Sequence, residues 1–372
     1  MTQIPSIGTM MPLVGKPLNR EPPVTELISS FLTSKDGYDR NHGSIPHLSS
    51  IDHIVKVDGA VKTPFTLTID NLRNDYSQHS VVCALQCAGN RRHTMRTHLE
   101  EVQGLDWFDG AVMNCKWTGP LLRDVLAAAA PTLNPDTAHV AFACNSQECQ
   151  EDSWYGASIP LSRALDPEAD VVLALEMNGE TLTPNHGFPV RVVTPGVAGA
   201  RAVKWLDRIT VQEAESDNHY MQRDYKILPP EATDAESAEK FWDKTPPLQG
   251  MPVNSVIAIP KPETTVARDE DGLVDVQGYA LPSGKDGPVV RVEVSIDDGA
   301  NWTDAELLHH PEEGKWSWVL WRARLKMEPG NGKTIVSRAT DKAGNVQEKE
   351  PQWNLRGCGY NGFGIAEDLQ IV

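Results

Sequence analysis

The segment Leu85-Gln86-Cys87-Ala88-Gly89-Asn90-Arg91-Arg92 places a cysteine between an apolar run and two arginines. The run before it, Val81-Val82-Cys83-Ala84-Leu85, is rich in β-branched and small apolar residues, which predicts a buried strand. Nearby guanidinium groups stabilise a thiolate, so we expect the Cys87 thiol to lose its proton readily. The segment therefore offers a soft sulfur ligand for a metal, and its two arginines offer forked donors for an oxyanion.

Other interpretations of Cys87 stay open at this point. A free cysteine is most often a small buried hydrophobe. A disulfide with Cys83 is disfavoured, because residues four apart in one strand lie about 13 Å apart, beyond bridging distance. A zinc site is also disfavoured, since Cys144 and Cys149 have no histidine pair beside them that completes a zinc pattern.

Further segments along the chain add to the pattern of the Cys87 segment. They are Arg40-Asn41-His42-Gly43, Gly104-Leu105-Asp106-Trp107, Tyr155-Gly156-Ala157-Ser158, Glu176-Met177-Asn178-Gly179-Glu180, His186-Gly187-Phe188-Pro189-Val190-Arg191-Val192-Val193, Pro195-Gly196-Val197-Ala198-Gly199-Ala200-Arg201, Val203-Lys204-Trp205-Leu206, Arg223-Asp224-Tyr225-Lys226 and Trp353-Asn354-Leu355-Arg356-Gly357. Taken together, they resemble the eukaryotic sulfite oxidase family, which also includes assimilatory nitrate reductases. The resemblance covers nearly the whole chain, from about residue 35 to residue 360.

The resemblance implies an α+β fold, in which a mixed α/β molybdopterin domain of the sulfite oxidase type precedes an immunoglobulin-like β-sandwich that forms a homodimer. It implies a molybdopterin cofactor with one molybdenum per chain, and Cys87 as the protein ligand to that metal. The cofactor contacts that it implies are Tyr38, Asp39, Arg40, Asn41, His42, Cys87, His186, Arg191, Ala202, Val203 and Lys204. The catalytic and substrate-binding residues that it implies are Arg40, Arg92, Trp107, Tyr225 and Arg356. One departure concerns Ser146, which lies where family members often carry an aspartate, so no cofactor contact is assigned there.

Two positions distinguish the sulfite enzymes of this family from the nitrate enzymes. Sulfite oxidases carry tyrosine at the position of Tyr225 and arginine at that of Arg356, where nitrate reductases typically have asparagine and methionine. The resemblance thus implies oxidation of sulfite to sulfate by oxygen-atom transfer. The alternatives are the molybdenum domain of a nitrate reductase and, in another class, a non-catalytic pterin-binding scaffold protein.

The sequence shows no haem-binding segment of the cytochrome b5 kind before the first domain. We therefore expect a haem-free enzyme, similar to plant and fungal sulfite oxidases, that passes electrons to oxygen or to an external acceptor such as cytochrome c.

Composition narrows the class of protein. The chain has 372 residues, which favours two domains, and its hydrophobic content of 40% is ordinary for a globular protein. A formal net charge of −17 argues against nucleic acid as a partner, because phosphate would be repelled. No apolar run is long enough to span a membrane, and no targeting signal is evident. We expect a soluble intracellular protein, whether mitochondrial, peroxisomal or cytoplasmic.

Proline-rich and alternating segments suggest the division into domains. Residues 1–34 are predicted to form an arm over a catalytic domain of residues 1–247, and residues 248–372 the dimerisation domain. Within the first domain, residues 120–130 predict a helix that Pro131 ends. In the second, residues 289–296, 315–321 and 334–339 predict strands, the first of them followed by a hairpin turn at residues 297–299.

Overall fold

The computed structural model describes residues 11–14, 17–34 and 36–372, and for residues 11–14 the backbone alone. The first ten residues of the predicted arm, with residues 15 and 16, lie outside the described residues.

The N-terminal half contains a mixed five-stranded sheet and smaller sheets beside it. In sheet order, the five strands are Phe65–Thr68, Ile54–Gly59, Arg208–Gln212, His139–Cys144 and Tyr155–Pro160. A four-stranded sheet contains Glu180–Thr181, Glu176–Met177, Val112–Pro120 and Gln78–Gln86, and two-stranded sheets pair Arg191–Val193 with Val172–Ala174 and Met11–Val14 with Asn19–Glu21. A large apolar core packs against the five-stranded sheet and includes Phe142, Leu173 and Ile209.

Short helices connect these strands. The α-helices are Val24–Leu27, Ile69–Asn74, Arg92–His98, Leu122–Ala129, Leu161–Leu165, His219–Gln222 and Ala235–Ala238, and the 3₁₀-helices are Pro184–His186, Gly199–Arg201 and Trp242–Lys244. The longest of them, Leu122–Ala129, buries four apolar side chains at helical spacing, Leu122, Val125, Leu126 and Ala129. It begins after Pro120 because that proline still belongs to the preceding strand, so the predicted helix of residues 120–130 is right in kind and too long.

The C-terminal region is a β-sandwich. One sheet contains Asn254–Ile259, Leu273–Leu281, Val319–Lys326 and Glu306–Leu308, and the other Thr265–Val266, Gly364–Ile371, Gly330–Asp341, Val289–Ser295 and Thr303–Asp304. Inward-facing side chains of both sheets, such as Trp321 and Ile335, share one apolar core. A mixed α/β region followed by a sandwich confirms the predicted fold class, while the boundary at residue 248 stays a prediction.

The strand predicted over residues 315–321 is wrong in its first half. The strand begins at Val319, because the residues before it form a turn in which Ser317 N–H donates to the Gly314 carbonyl. The Trp316 indole instead donates to Asp170 of the N-terminal half at 2.8 Å, and its ring packs in an apolar cluster of that half. Trp316 therefore joins the two regions rather than extending a strand.

The arm, which the sequence predicted to lie over the first domain, contacts both regions. Phe31 and Leu27 pack in a cluster with Val256 and Trp318 of the sandwich. The Phe31 carbonyl accepts hydrogen bonds from the Trp318 indole at 2.9 Å and from the Asn114 amide at 2.9 Å. Residues 17–34 of the arm are thus a third element of the contact between the two regions.

Candidate active site

Cys87 lies one residue beyond the strand Gln78–Gln86, at the wall of a cavity. The outer end of this strand is exposed and its inner end is buried, so the chain leaves the sheet inside the molecule. The Cys87 N–H donates to the Ala111 carbonyl at 2.9 Å, and the Cys87 carbonyl accepts from Asn90 N–H at 3.0 Å. Both backbone bonds hold the thiol in place at 4% exposure.

The cavity has an empty volume of about 680 Å³, including its opening to solvent. It brings together predicted site residues that are distant in sequence, namely Tyr38, Arg40, Asn41, His42, Cys87, His186, Arg191, Ala202, Lys204 and Tyr225. The chain also lines it with residues to which the sequence assigned no role, namely Leu85, Met113, Gln147, Tyr155, Gly199, Ala200 and Trp205. Within the described residues, no carboxylate lines this cavity, so its polar lining is cationic or neutral.

Burial raises the pKa of the Cys87 thiol, and this outweighs the opposing effects of Arg92, Arg40 and the Gly89 N–H. The expectation of a readily ionised thiol is therefore wrong. The strand ends so deep in the molecule that desolvation of the thiolate dominates the attraction of the guanidinium groups. A metal ion that binds the sulfur would displace the proton, since a coordinating thiol is deprotonated outright.

The two adjacent arginines also point to different places. Arg91 is in the left-handed region with φ of 66°, and its guanidinium is directed away from the cavity. It donates to Asn254 Oδ1 at 2.7 Å and to the carbonyls of Gly362 and Phe363 at 2.6 and 2.7 Å. Arg91 and these three acceptors, which we term the domain junction, join the two regions. The predicted forked pair of donors beside Cys87 is thus reduced to Arg92.

Arg92 is held behind the cavity wall by backbone groups. Its Nε donates to the Arg356 carbonyl at 3.0 Å and its Nη1 to the Leu105 carbonyl at 2.8 Å, while Nη2 lies 4.0 Å from Cys358 Sγ. A Cβ on any of the glycines around it, Gly89, Gly104 or Gly357, would lie within 3 Å of this side chain. These glycines therefore allow three backbone segments to close on one guanidinium.

The remaining predicted residues outside the cavity lining have identifiable contacts. Asp39 pairs with Arg20 of the arm at 2.5 Å and accepts from Asn185 at 2.8 Å. Arg356 pairs with Asp224 at 2.5 Å, and Trp107 is fully buried with its ring edge-on to Tyr38. Val203 is a core residue whose carbonyl accepts from Val192 N–H.

At the other end of the cavity, Lys204 and Arg191 are buried basic groups whose hydrogen-bond acceptors are all neutral. Burial, followed by repulsion from Arg191, lowers the pKa of Lys204 to about 7. Its Nζ donates to Asn41 Oδ1 at 2.5 Å and to the Asn185 carbonyl at 2.9 Å. Burial likewise lowers the pKa of Arg191 to about 10. Its Nη1 and Nη2 donate to the carbonyls of His186 and Ala202 at 3.0 and 3.1 Å, and its Nε has no hydrogen-bond partner among the described residues. Both groups would be stabilised by an anion, as the terminal phosphate of a pterin cofactor would provide.

Tyr225 projects its ring into the cavity from a strained backbone. Its φ is 55°, and its carbonyl accepts from Leu248 N–H at 2.9 Å, which fixes this conformation. Its hydroxyl lies 2.6 Å from His42 Nε2, and His42 Nδ1 lies 3.2 Å from Arg40 Nη2. Tyr225, His42 and Arg40 thus form a continuous polar wall.

The residues missed by sequence reasoning are mostly neighbours of the assigned ones. Tyr155 begins a segment of the resemblance, and its hydroxyl donates to the Ala200 carbonyl at 2.8 Å. At Gly199 a Cβ would lie 2.7 Å from the Tyr38 hydroxyl, so the absence of a side chain allows the backbone at residue 199 to lie close to Tyr38. Near the unassigned Ser146, it is Gln147 that lines the cavity, while Ser146 N–H lies 3.3 Å from Asp207.

Comparison with known proteins agrees with this geometry. Residues 42–220 match the family described as "Oxidoreductase molybdopterin binding domain", and residues 245–363 match "Mo-co oxidoreductase dimerisation domain". The sulfite oxidase of Arabidopsis thaliana is 40% identical over 92% of this chain and 89% of its own length. The chain belongs to the sulfite oxidase family. The resemblance found in the sequence is thereby confirmed.

Two further proteins are similar to this chain, one a sulfite oxidase and the other a solved structure with the same fold. The mitochondrial sulfite oxidase of Drosophila melanogaster is 41% identical over 95% of this chain. The chain spans 62% of the length of that protein. The crystal structure of the sulfane dehydrogenase SoxCD from Paracoccus pantotrophus shares the fold, with a TM-score of 0.77 at 24% identity, over 96% of this chain and 90% of that one. Among the described residues, none of the helices has the length and apolar character that crossing a membrane requires.

Proposed function

We propose that this chain catalyses the molybdenum-dependent oxidation of sulfite to sulfate. The observation that carries the proposal is the joint placement of one thiol, Cys87, and several cationic groups in a cavity without a carboxylate lining. A thiolate is a suitable ligand for a soft or sulfur-rich metal centre. Cationic walls attract an oxyanion even though the whole chain carries a net charge of −17.

The cavity suits a molybdenum pyranopterin in its donor set. Cys87 would bind the metal, and Lys204, His186 and Arg191 would meet the pterin and its phosphate. Tyr38, Asn41, His42 and the backbone around Ala202 and Val203 would form the remaining contacts, with Asp39 holding this loop from behind through Asn185. When bound, this group supplies the two-electron redox change and the oxygen atom that the conversion of sulfite to sulfate requires.

The chain's own task is to bind and orient the anion. Arg40 and Tyr225 line the cavity directly and would donate to sulfite oxygens. Arg92 and Arg356 stand behind them, each partly engaged with protein acceptors, and would add positive potential rather than a full pair of donors. Buried Trp107 would support Tyr38 in the wall.

Tyr225 and Arg356 favour sulfite over nitrate as the substrate, as the sequence comparison within the family implies. A non-catalytic pterin-binding scaffold would need Lys204 and Arg191 as well, but it would not need Arg40 and Tyr225 in the same cavity as the Cys87 thiol. We further propose that residues 248–372 mediate a homodimer, and that electrons pass to oxygen or to an external acceptor such as cytochrome c.

Electron paramagnetic resonance on the molybdenum-loaded protein tests this function. We expect a molybdenum(V) signal after sulfite is added, and we expect Cys87→Ser to abolish that signal while the circular dichroism of the fold is unchanged. Nitrate added to prereduced protein is the control. A centre that ignores sulfite and is reoxidised by nitrate would contradict the proposal and favour nitrate reduction.

A further inference from the structure

Arg40, His42 and Tyr225 form a hydrogen-bonded series with one direction. Arg40 Nη2 lies 3.2 Å from His42 Nδ1, and His42 Nε2 lies 2.6 Å from the Tyr225 hydroxyl oxygen. All three side chains line the cavity. The series joins residues 183 positions apart in sequence, so it is a product of the tertiary fold.

The direction follows from the chemistry of the three groups. A guanidinium has donors only, so His42 Nδ1 must be the acceptor in its contact with Arg40. A neutral imidazole that accepts at Nδ1 carries its proton at Nε2. The Nε2–H therefore donates to the Tyr225 oxygen, and the hydroxyl proton of Tyr225 is not used in this contact.

Its surroundings keep the His42 ring neutral and fixed. Burial, together with the positive charges of Arg40, His219, Lys204 and Arg356, lowers the pKa of His42 well below its usual value. The ring centroid lies 3.7 Å from that of Tyr220 and 5.7 Å from that of Tyr155, which is stacked on the imidazole. The imidazole can therefore neither take a second proton at neutral pH nor swing away without unpacking these rings.

We propose that His42 is a positioning residue that commits the Tyr225 hydroxyl proton to an oxyanion in the cavity. By donating to the tyrosine oxygen, His42 leaves the O–H free to donate to a ligand and makes it a stronger donor through hydrogen-bond cooperativity. Burial raises the pKa of Tyr225, which keeps the hydroxyl protonated for this purpose. The inference rests on the proposed function in that it takes the ligand to be the sulfite or sulfate anion.

The protonation of His42 can be measured without any turnover. We would record nitrogen NMR spectra of the holoenzyme labelled with ¹⁵N-histidine, and assign His42 by difference against His42→Gln. The inference predicts a neutral imidazole with its proton on Nε2, and a shift of that signal in Tyr225→Phe, which removes its acceptor. A proton on Nδ1, or a charged imidazolium, would overturn it even if the protein oxidises sulfite.

The steady-state kinetics of the holoenzyme test whether the hydrogen bond from His42 to Tyr225 strengthens the binding of sulfite. His42→Asn keeps an acceptor near Arg40 but cannot reach Tyr225, and we expect it to raise the KM for sulfite about tenfold, the effect of one hydrogen bond. In a Tyr225→Phe background the same substitution should add nothing, whereas additive effects would show that His42 acts independently of Tyr225. In His42→Gln the side-chain amide can still donate to the Tyr225 hydroxyl, so its KM for sulfite should lie much closer to that of the wild-type protein than the KM of His42→Asn.

A histidine away from the cavity provides the matched control. His98 is partly exposed and lies 3.3 Å from Glu367, and His98→Gln should leave the KM unchanged. If the wild-type protein does not oxidise sulfite at all, the proposed function fails, and the NMR experiment still decides the direction of the hydrogen-bonded series.

Discussion

The domain junction and the cavity both bury cationic side chains, but the positive charge is compensated by a carboxylate only at the junction. At the junction, fixed acceptors meet both terminal nitrogens of Arg91, and its Nε lies 3.4 Å from the Asp109 carboxylate. In the cavity, the terminal nitrogens of Arg191 also meet protein acceptors, but these are neutral carbonyls, no carboxylate of the described residues lines the cavity, and burial lowers the pKa of both Arg191 and Lys204. A buried cation paired with a carboxylate of the protein stabilises the fold, whereas one that has only neutral acceptors is suited to an anionic ligand.

The sharpest way to test this difference is to remove the junction cation. Arg91→Met would leave the Phe363 carbonyl without its side-chain donor and the Asp109 carboxylate without its cation, and only Gln347 would still donate to the Asn254 oxygen and the Gly362 carbonyl. We expect a loss of about 3–5 kcal/mol in the free energy of unfolding, as for breaking a buried charged network. Urea titration followed by fluorescence measures it, and Arg208→Met at the surface is the control. An unchanged unfolding midpoint for Arg91→Met would show that the junction is not held this way.

The matching change in the cavity should act on the cofactor instead of the fold. Arg191→Gln removes a buried charge that no carboxylate of the cavity lining compensates, and keeps an amide that can donate to the carbonyls of His186 and Ala202. We therefore expect the free energy of unfolding of cofactor-free protein to change by less than about 1 kcal/mol. Molybdenum and pterin per chain, measured after expression with the cofactor available, should fall by about tenfold or more. If Arg191→Gln strongly lowered the free energy of unfolding and left the cofactor content normal, Arg191 would stabilise the fold rather than bind the cofactor. That result would contradict the distinction between the two regions.

A smaller effect is expected from the pH dependence of stability. The folded-state pKa of Lys204 is about 7, below its unfolded value, so between these values the unfolded chain binds more protons and stability rises with pH. Above about pH 7, cofactor-free wild type should gain stability relative to Lys204→Met by at most about 1.4 kcal/mol per pH unit. Urea titrations of both proteins at pH 7, 8 and 9 measure this. Parallel curves for the two would contradict a depressed pKa at Lys204.

Much of the fold could be predicted from local patterns. The buried strand before Cys87 and the alternating strands of the sandwich follow from periodicity, since side chains alternate between a core face and an outer face. Patterns of this kind cannot assign a tryptophan to its partner. Trp316 looks like one member of an alternating strand, but its indole bonds Asp170 in the other region.

The sequence identified many of the residues that line the cavity, but not the directions in which the side chains around it point. Arg91 and Arg92 are adjacent and chemically identical, and only the φ of 66° at Arg91 turns one toward the junction while the other stays beside Cys87. Nothing in the sequence specifies that angle, because the residue is not a glycine. The protonation of Cys87 escaped prediction for a related reason: burial depends on the whole fold, while the neighbouring charges are visible in the sequence.

X-ray absorption at the molybdenum edge tests the central claim most directly. The account predicts that metal-loaded wild-type protein has one more sulfur ligand than Cys87→Ser, because the Cys87 thiolate binds the metal at the wall of the cavity. An equal number of sulfur ligands in the two proteins would contradict it, and would leave Cys87 as a buried residue beside a site whose metal is held by other groups.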